Sequence, residues 1–225
     1  MDRGLRTARL AVPLAAVLVA VTGCGNGGEK TATGAVKEPP ARTVRAMQTR
    51  LEDAVLTSRA VGPGWTVAPP DQVAPVKQYC NRPLGKGLKP FAQTRVAFRQ
   101  RYGSVVTQDL WAYAGDGAER VIDEFSSLTE SCRSWKVSPE IGRTVTYTMG
   151  PLEVDELGDD TVAARLRSAN TFGGIEVVHS FVAVMSRRGN VVDFVTQTAN
   201  SGLFMSKAEA EKLARRADRR LAASR

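Results

Sequence analysis

The chain has 225 residues, 31 Lys and Arg against 23 Asp and Glu, and a formal charge of +8. A hydrophobic content of 43% supports a real core, and the length fits one domain with a tail, which excludes collagen-like, coiled-coil and mostly disordered chains. A single His rules out most catalytic and metal designs that need two or more imidazoles, and three Cys leave an odd one over.

The chain opens on Arg3, Arg6 and Arg9 against a single Asp2, followed by an uncharged apolar run over 10–21. That run is too short to span a bilayer and has the length of a signal-peptide core. It ends Val21-Thr22-Gly23-Cys24, which resembles the lipobox of bacterial lipoprotein signal peptides. The resemblance implies cleavage before Cys24 and a diacylglyceryl thioether on its sulfur. Residues 1–23 are then a signal peptide and 24–42 a lipidated, flexible tether, rich in Gly and Thr and stiffened at Pro39-Pro40. Residues 43–225 are the domain itself, held on the outer face of the cell membrane, and the mature chain carries +6. The alternative is an ordinary secretory signal with an incidental Cys.

Within the domain, Val44, Met47, Leu51 and Val55 recur at helical spacing and predict a first helix. Val61-Gly62-Pro63-Gly64-Trp65 ends it with turn chemistry. Five prolines over 69–90 predict an irregular segment around Cys80. Runs over 94–100 and 105–114 predict a β-hairpin. Asp116-x-x-Glu119 predicts a capping box, behind which Ala118, Val121, Ile122, Phe125, Leu128 and Cys132 mark one helical face. Short strands are expected near 144–149 and 161–168. A longer pair, 175–186 and 191–198, turns at Arg187-Arg188-Gly189-Asn190. Ser206-x-x-Glu209 is a second capping box, opening a last helix with the stripe Ala210, Leu213, Ala214, Ala217, Leu221. Hairpins predominate and no βαβ alternation is visible. The fold class is α+β, an antiparallel sheet packed with about three helices.

With Cys24 lipidated, Cys80 and Cys132 form an even pair in an oxidising compartment. Cys132 falls on the buried side of its helix's last turn, placed to bridge towards the 69–90 segment, and a disulfide is expected. The alternative, a reactive thiol, has no imidazole to call on except His179. Gly-x-Ser-x-Gly, Cys-x-x-Cys and His-x-x-x-His are all absent from the sequence. Gly85-Lys86-Gly87 lacks the Gly-Lys-Ser/Thr of a phosphate loop. The acidic run Glu153, Asp155, Glu156, Asp159, Asp160 lacks the rhythm of a calcium loop and reads as a solvated turn. No catalytic residue, metal ligand or cofactor is assigned.

Charge is more informative. Between Asp71 and Asp109 there is no carboxylate, while Lys and Arg contribute +7. On a strand Arg95, Arg99 and Arg101 share one face and Val96 and Phe98 the other. These arginines, with His179 as a core or groove-lining residue, are the candidate contacts for an anionic envelope ligand. The alternative is a solvated sheet face. Arg215, Arg216, Arg219 and Arg220 give the last helix a second basic face. Nucleic acid is not an expected partner outside the cell.

Taken together, Trp65, Cys80, the hairpin, a helix ending Cys132-x-x-Trp135, Gly158-Asp159, Gly189-Asn190-Val191-Val192 and a closing helix follow one another in a familiar order. Over about 43–222 this order resembles the PknH-type extracellular sensor domains of mycobacterial serine/threonine kinases, which also occur in actinobacterial lipoproteins without a kinase. The resemblance implies a sandwich-like domain with a groove on its sheet, a ligand-sensing role without catalysis, and a Cys80–Cys132 pairing. This chain departs from the pattern in having no kinase domain, no transmembrane helix and no cysteines for a second disulfide. The expectation is a membrane-anchored, sensor-like lipoprotein that binds a cell-envelope component or envelope protein through a cleft beside the 175–199 hairpin. The alternative is a lipid or glycolipid carrier with an apolar cavity.

Overall fold

The computed structural model describes residues 38–69, 78–100, 103–140, 143–172, 175–199 and 206–224. The expected signal peptide over 1–23, Cys24, the expected tether up to residue 37 and Arg101 lie outside them. In chain order the elements are α1 (Ala41–Ala54), α2 (Ser58–Val61), β1 (Trp65–Ala68), β2 (Ala92–Gln100), β3 (Val105–Ala112) and α3 (Gly117–Ser131). Then come β4 (Ser134–Glu140), β5 (Arg143–Pro151), β6 (Asp160–Phe172), β7 (Ile175–Arg188), β8 (Val191–Ala199) and α4 (Lys207–Ala223). The strands form one eight-stranded sheet in the order β1-β2-β3-β8-β7-β6-β5-β4, antiparallel at every step.

Strand parity decides which helix each face meets. On β7, Ala183 and Met185 join Val121, Ile122, Phe125 and Leu128 of α3 in one core, with Trp135, Leu166, Val192 and Phe194. Val182 and Val184 face the other way, onto Ala210 and Ala214 of α4. The same opposite face carries Leu110, Ala112 and Val191 against Leu51 and Ala54 of α1. Helices therefore cover both sides of a single sheet. The central strands, buried on both faces, lose the polar–apolar alternation of a half-solvated sheet and read as near-continuous apolar runs.

The expected helices and hairpins are present with bounds shifted by a few residues. Three elements were not expected: α2, β1 and the edge strand β4, which makes four helices instead of about three. The Asp116 capping box does not form: Asp116 is the N-cap residue of α3 but has φ −86° and ψ 6°, away from the extended geometry of a cap, and its side chain bonds no helix N–H. Ser206 does cap α4, its hydroxyl accepting from the Glu209 N–H at 3.1 Å.

Cys80 and Cys132 are joined in a disulfide with their Cα atoms 6.1 Å apart. It ties the loop before β2 to the C-cap of α3 and seats Tyr79, 3% exposed, in the α3-side core. The Tyr79 ring meets Phe125 edge-on at 5.6 Å between centroids and Phe194 at 6.2 Å.

Two charge assignments change. Much of the basic side of α4 points inward: the Arg220 guanidinium donates to the carbonyls of Val55 (2.6 Å) and Asp53 (2.9 Å), and Arg216 donates to those of Ala60 and Val61. These are the orphan carbonyls at the C-terminal ends of α1 and α2, where a cation also meets the negative end of the helix dipole. Arg50 of α1 returns the contact, donating to the Ser224 carbonyl at the end of α4 (2.6 Å). Arg215 pairs with Asp155.

The acidic segment before β6 is correspondingly not just a solvated turn. Besides Asp155, Asp160 pairs with Arg187, and Asp159 accepts from the Gly189 N–H at 2.6 Å. Gly158 makes this docking possible. Its φ is +65° and it bridges to Arg187, whose carbonyl oxygen a Cβ at this position would overlap. Replacing Gly158 by Ala should therefore destabilise the protein by about 3 kcal/mol, combining left-handed strain with a collision against backbone. Gly189→Ala has the same handedness problem (φ +60°) but nothing within 4 Å, and should lose only about 1 kcal/mol. Equal urea midpoints for the two variants would show that the close approach carries no energy.

Candidate functional site

A cleft of about 500 Å³ opens on the α1/α4 side of the sheet. Strands give its floor and near wall. Trp65 of β1 stands opposite Gln100 of β2, and Val106 of β3 stands opposite Gln197 of β8. The turn after α2 (Val61, Gly62, Pro63) closes one side; Glu209, Lys212, Leu213 and Arg216 of α4 close the other. Trp65 reaches its position because Gly62 (φ +139°) and Gly64 (φ +79°) turn the chain sharply out of α2 into an edge strand. The Arg216 guanidinium is held in the wall by the α2 carbonyls it caps.

The floor carries an unmet hydrogen-bonding group. The Gln197 side-chain oxygen is shielded from solvent and has no hydrogen-bond partner. Leaving a buried acceptor unpaired costs about 1–3 kcal/mol, and a small rotation of the amide into the cleft would let a ligand donor relieve it. Above this floor Lys212 is exposed, and among the described residues no carboxylate pairs with it; its neighbour Lys207 takes Glu211. The cleft thus offers an indole wall, two planar amides and a cationic rim with one carboxylate, Glu209.

Beside the floor lies a buried polar relay. Gln108, fully buried, accepts from the Leu56 N–H at 2.7 Å and donates to both carboxylate oxygens of Asp193 at 3.1 Å. Asp193 is 1% exposed, and burial, reinforced by the charges of Asp218 and Asp109, pushes its carboxyl up to about 7. Gln108 satisfies a backbone N–H just before α2, so the relay ties the α1–α2 junction, and with it the cleft wall, to the central strands.

The residues predicted from sequence lie elsewhere. Arg95 and Arg99 do share a face of β2, opposite Val96 and Phe98, but it is the α3 side of the sheet. Arg95 sits across from Asp109 in register and 3.6 Å from its carboxylate. The stripe's first member is thereby met by the first carboxylate after the acid-free stretch. Burial pushes the Asp109 carboxyl up to about 6, with Arg95 opposing. Arg99 is exposed, and Arg101 is outside the described residues. His179 is half-buried on the α3 side, directly across from Ser168. No hydrogen bond joins the two, and Ser168 is only 5% exposed. Ser168 in turn faces Tyr147, whose ring stacks on Trp135 at 5.0 Å. None of Arg95, Arg99 and His179 lines the cleft.

Cleft residues were hard to read because separate segments, far apart in the chain, supply them. One signal was available. On β8 the parity facing α1 and α4 runs Val191, Asp193, Val195, Gln197, Ala199, and two polar residues on a buried face mark either a satisfied network or a site. Asp193 is the first and Gln197 the second.

The architecture defines an α+β domain built on one antiparallel sheet with helices on both faces. Among solved structures, the extracellular domain of PknH from Mycobacterium tuberculosis shares this fold, with a TM-score of 0.55 at 15% identity over 78% of this chain and 96% of that one. At that identity the likeness is one of fold. No protein-family model matches the chain, and no curated protein matches it.

Proposed function

We propose that the protein is a non-enzymatic, extracytoplasmic binding module of the sensor type, anchored to the membrane through a lipid on Cys24, with the Trp65–Gln197 cleft as its ligand site. The observation that carries the site is the shielded, partnerless Gln197 oxygen on the floor of a cleft large enough for a small molecule. The fold likeness to the extracellular domain of PknH supports an extracytoplasmic module. Arg99 and His179, on the other face but on strands β2 and β7 with β3 and β8 between them, are separate secondary contacts for an anionic envelope component. The hydrogen-bonding groups of Gln100, Ser104 and Gln197, set beside Val106 in the floor, suit a polar ligand better than the acyl chains a lipid carrier would hold.

Ligand-observed binding of the full chain in detergent against cell-envelope extracts tests the site. Signal is expected for the parent and is lost in Trp65→Ala and Gln197→Leu; retention in both variants overturns the cleft as the site. The anchor has its own test. Cys24→Ala is expected to leave the membrane fraction, and an unchanged distribution between membrane and soluble fractions would sink the lipidation.

A further inference from the structure

We infer that the ligand of this cleft is a saccharide bearing an anionic group. The inference rests on the cleft being the binding site. Three features of the lining point the same way.

The first is Trp65, half-buried in the edge strand and contributing an aromatic wall to a cleft lined by a mixture of apolar residues (Val61, Pro63, Val106, Leu213) and polar ones. The C–H face of a pyranose packs on such a ring while its hydroxyls stay free for hydrogen bonds. The second is the pair of planar amides. Gln197 presents a shielded acceptor that needs an O–H or N–H, and its own NH₂ group is a donor. An amide in this position matches vicinal hydroxyls, one donating to the oxygen and its neighbour accepting from the nitrogen. Gln100 supplies a second amide beside the indole, its nitrogen over the turn at Gly64. A phosphate dianion or a simple carboxylate has no hydrogen to give the Gln197 oxygen; a sugar has several.

The third is charge. Lys212 and Arg216 outnumber Glu209 in the lining. Arg216 is held by its two carbonyl contacts, so its remaining N–H groups are already oriented. A neutral sugar would leave this cationic rim unused, and an acidic substituent on the ring answers it.

The test uses the full chain in detergent and a matched pair of probes, cellobiouronic acid and cellobiose, which differ in one carboxylate. Glucose 6-phosphate and inorganic phosphate separate the sugar from its charge. Calorimetry is expected to show cellobiouronic acid binding about tenfold more tightly than cellobiose, one charge-assisted hydrogen bond in magnitude. Glucose 6-phosphate should bind and quench tryptophan fluorescence, while inorganic phosphate should do neither. Lys212→Gln, an exposed substitution that leaves the core untouched, should bring cellobiouronic acid down to the cellobiose value. Gln197→Leu should weaken both disaccharides alike. Equal affinity for the matched pair, or inorganic phosphate binding as well as glucose 6-phosphate, overturns the inference. If no saccharide binds but envelope extract still gives Trp65- and Gln197-dependent signal, the ligand class falls and the cleft stands. If that signal is missing too, both fall.

Discussion

Replacing Cys80 and Cys132 together by Ala is expected to destabilise the protein by about 4 kcal/mol. The cross-link joins positions 52 residues apart, and closing a loop of that length removes about this much chain entropy from the unfolded state. For a domain of this size the melting temperature should fall by about 10 °C. The loss should be local first. The loop carrying Tyr79 is held besides by a short turn, with Tyr79 and Arg82 exchanging backbone hydrogen bonds at 2.9 and 3.1 Å, and further along by the Gly85 N–H donating to Glu124 at 2.7 Å; its turn puts two successive non-glycine residues, Cys80 (φ 56°) and Asn81 (φ 62°), in left-handed conformation. Without the cross-link, Tyr79 should leave the cluster with Phe125 and Phe194, and limited proteolysis should cut near 78–90 before anywhere in β2–β8. A double variant that melts within about 2 °C of the parent, with the same cleavage order, contradicts this account.

Stability should fall as pH rises from about 4 to 7. The sign follows from Asp193, whose carboxyl is pushed in the folded protein to about 7 from an ordinary 3.8. Between those values the folded state keeps a proton that the unfolded chain gives up, so raising pH favours unfolding. Below about 4 both states are protonated and the acid imposes no penalty. Above about 7 both are ionised and the penalty is constant. Asp109, raised from 3.8 to about 6, adds a contribution of the same sign over a narrower window. Each pH unit between the folded and unfolded titrations of a group is worth about 1.4 kcal/mol, so the Asp193 effect approaches about 4 kcal/mol across the whole window. Urea midpoints at pH 5 and pH 8 measure most of it. The parent should be distinctly less stable at pH 8, and Asp193→Asn should keep only the smaller Asp109 dependence. A parent midpoint that rises from pH 5 to pH 8 would falsify the assignment of a buried, proton-retaining Asp193.

These two effects also show where the sequence was legible. Periodicity identified α1, α3 and α4 because each buries a single stripe, and turn chemistry placed the β2–β3 and β7–β8 hairpins. The cysteine count anticipated the cross-link. The strand β4 was missed because Ser134-Trp-Lys-Val-Ser-Pro-Glu140 offers only Trp135 and Val137 to the core and contains a proline, as edge strands tolerate. A single helical turn and a four-residue strand, α2 and β1, are too short for any period to register. The arginines of α4 were misread for a different reason. A guanidinium that caps a distant helix looks, in sequence, identical to one in solvent, and its partners at Val55 and Asp53 are 165 and 167 residues away. Likewise Arg95 seemed unopposed until strand register set Asp109 across from it.

The place of β8 in the sheet governs how the chain reaches its fold. It lies between β3 and β7, so β1–β3 and the β7–β4 meander have no direct pairing with one another. Thr107 meets Thr196, and Gln108 meets Asp193, across separations of 89 and 85 residues. Hairpins on either side form from local contacts within microseconds, but joining them requires closing that long loop before any reward is collected. The last strand is thus a keystone: a chain emerging N-terminus first waits, with two half-sheets exposing their edges, until β8 arrives to pair with both.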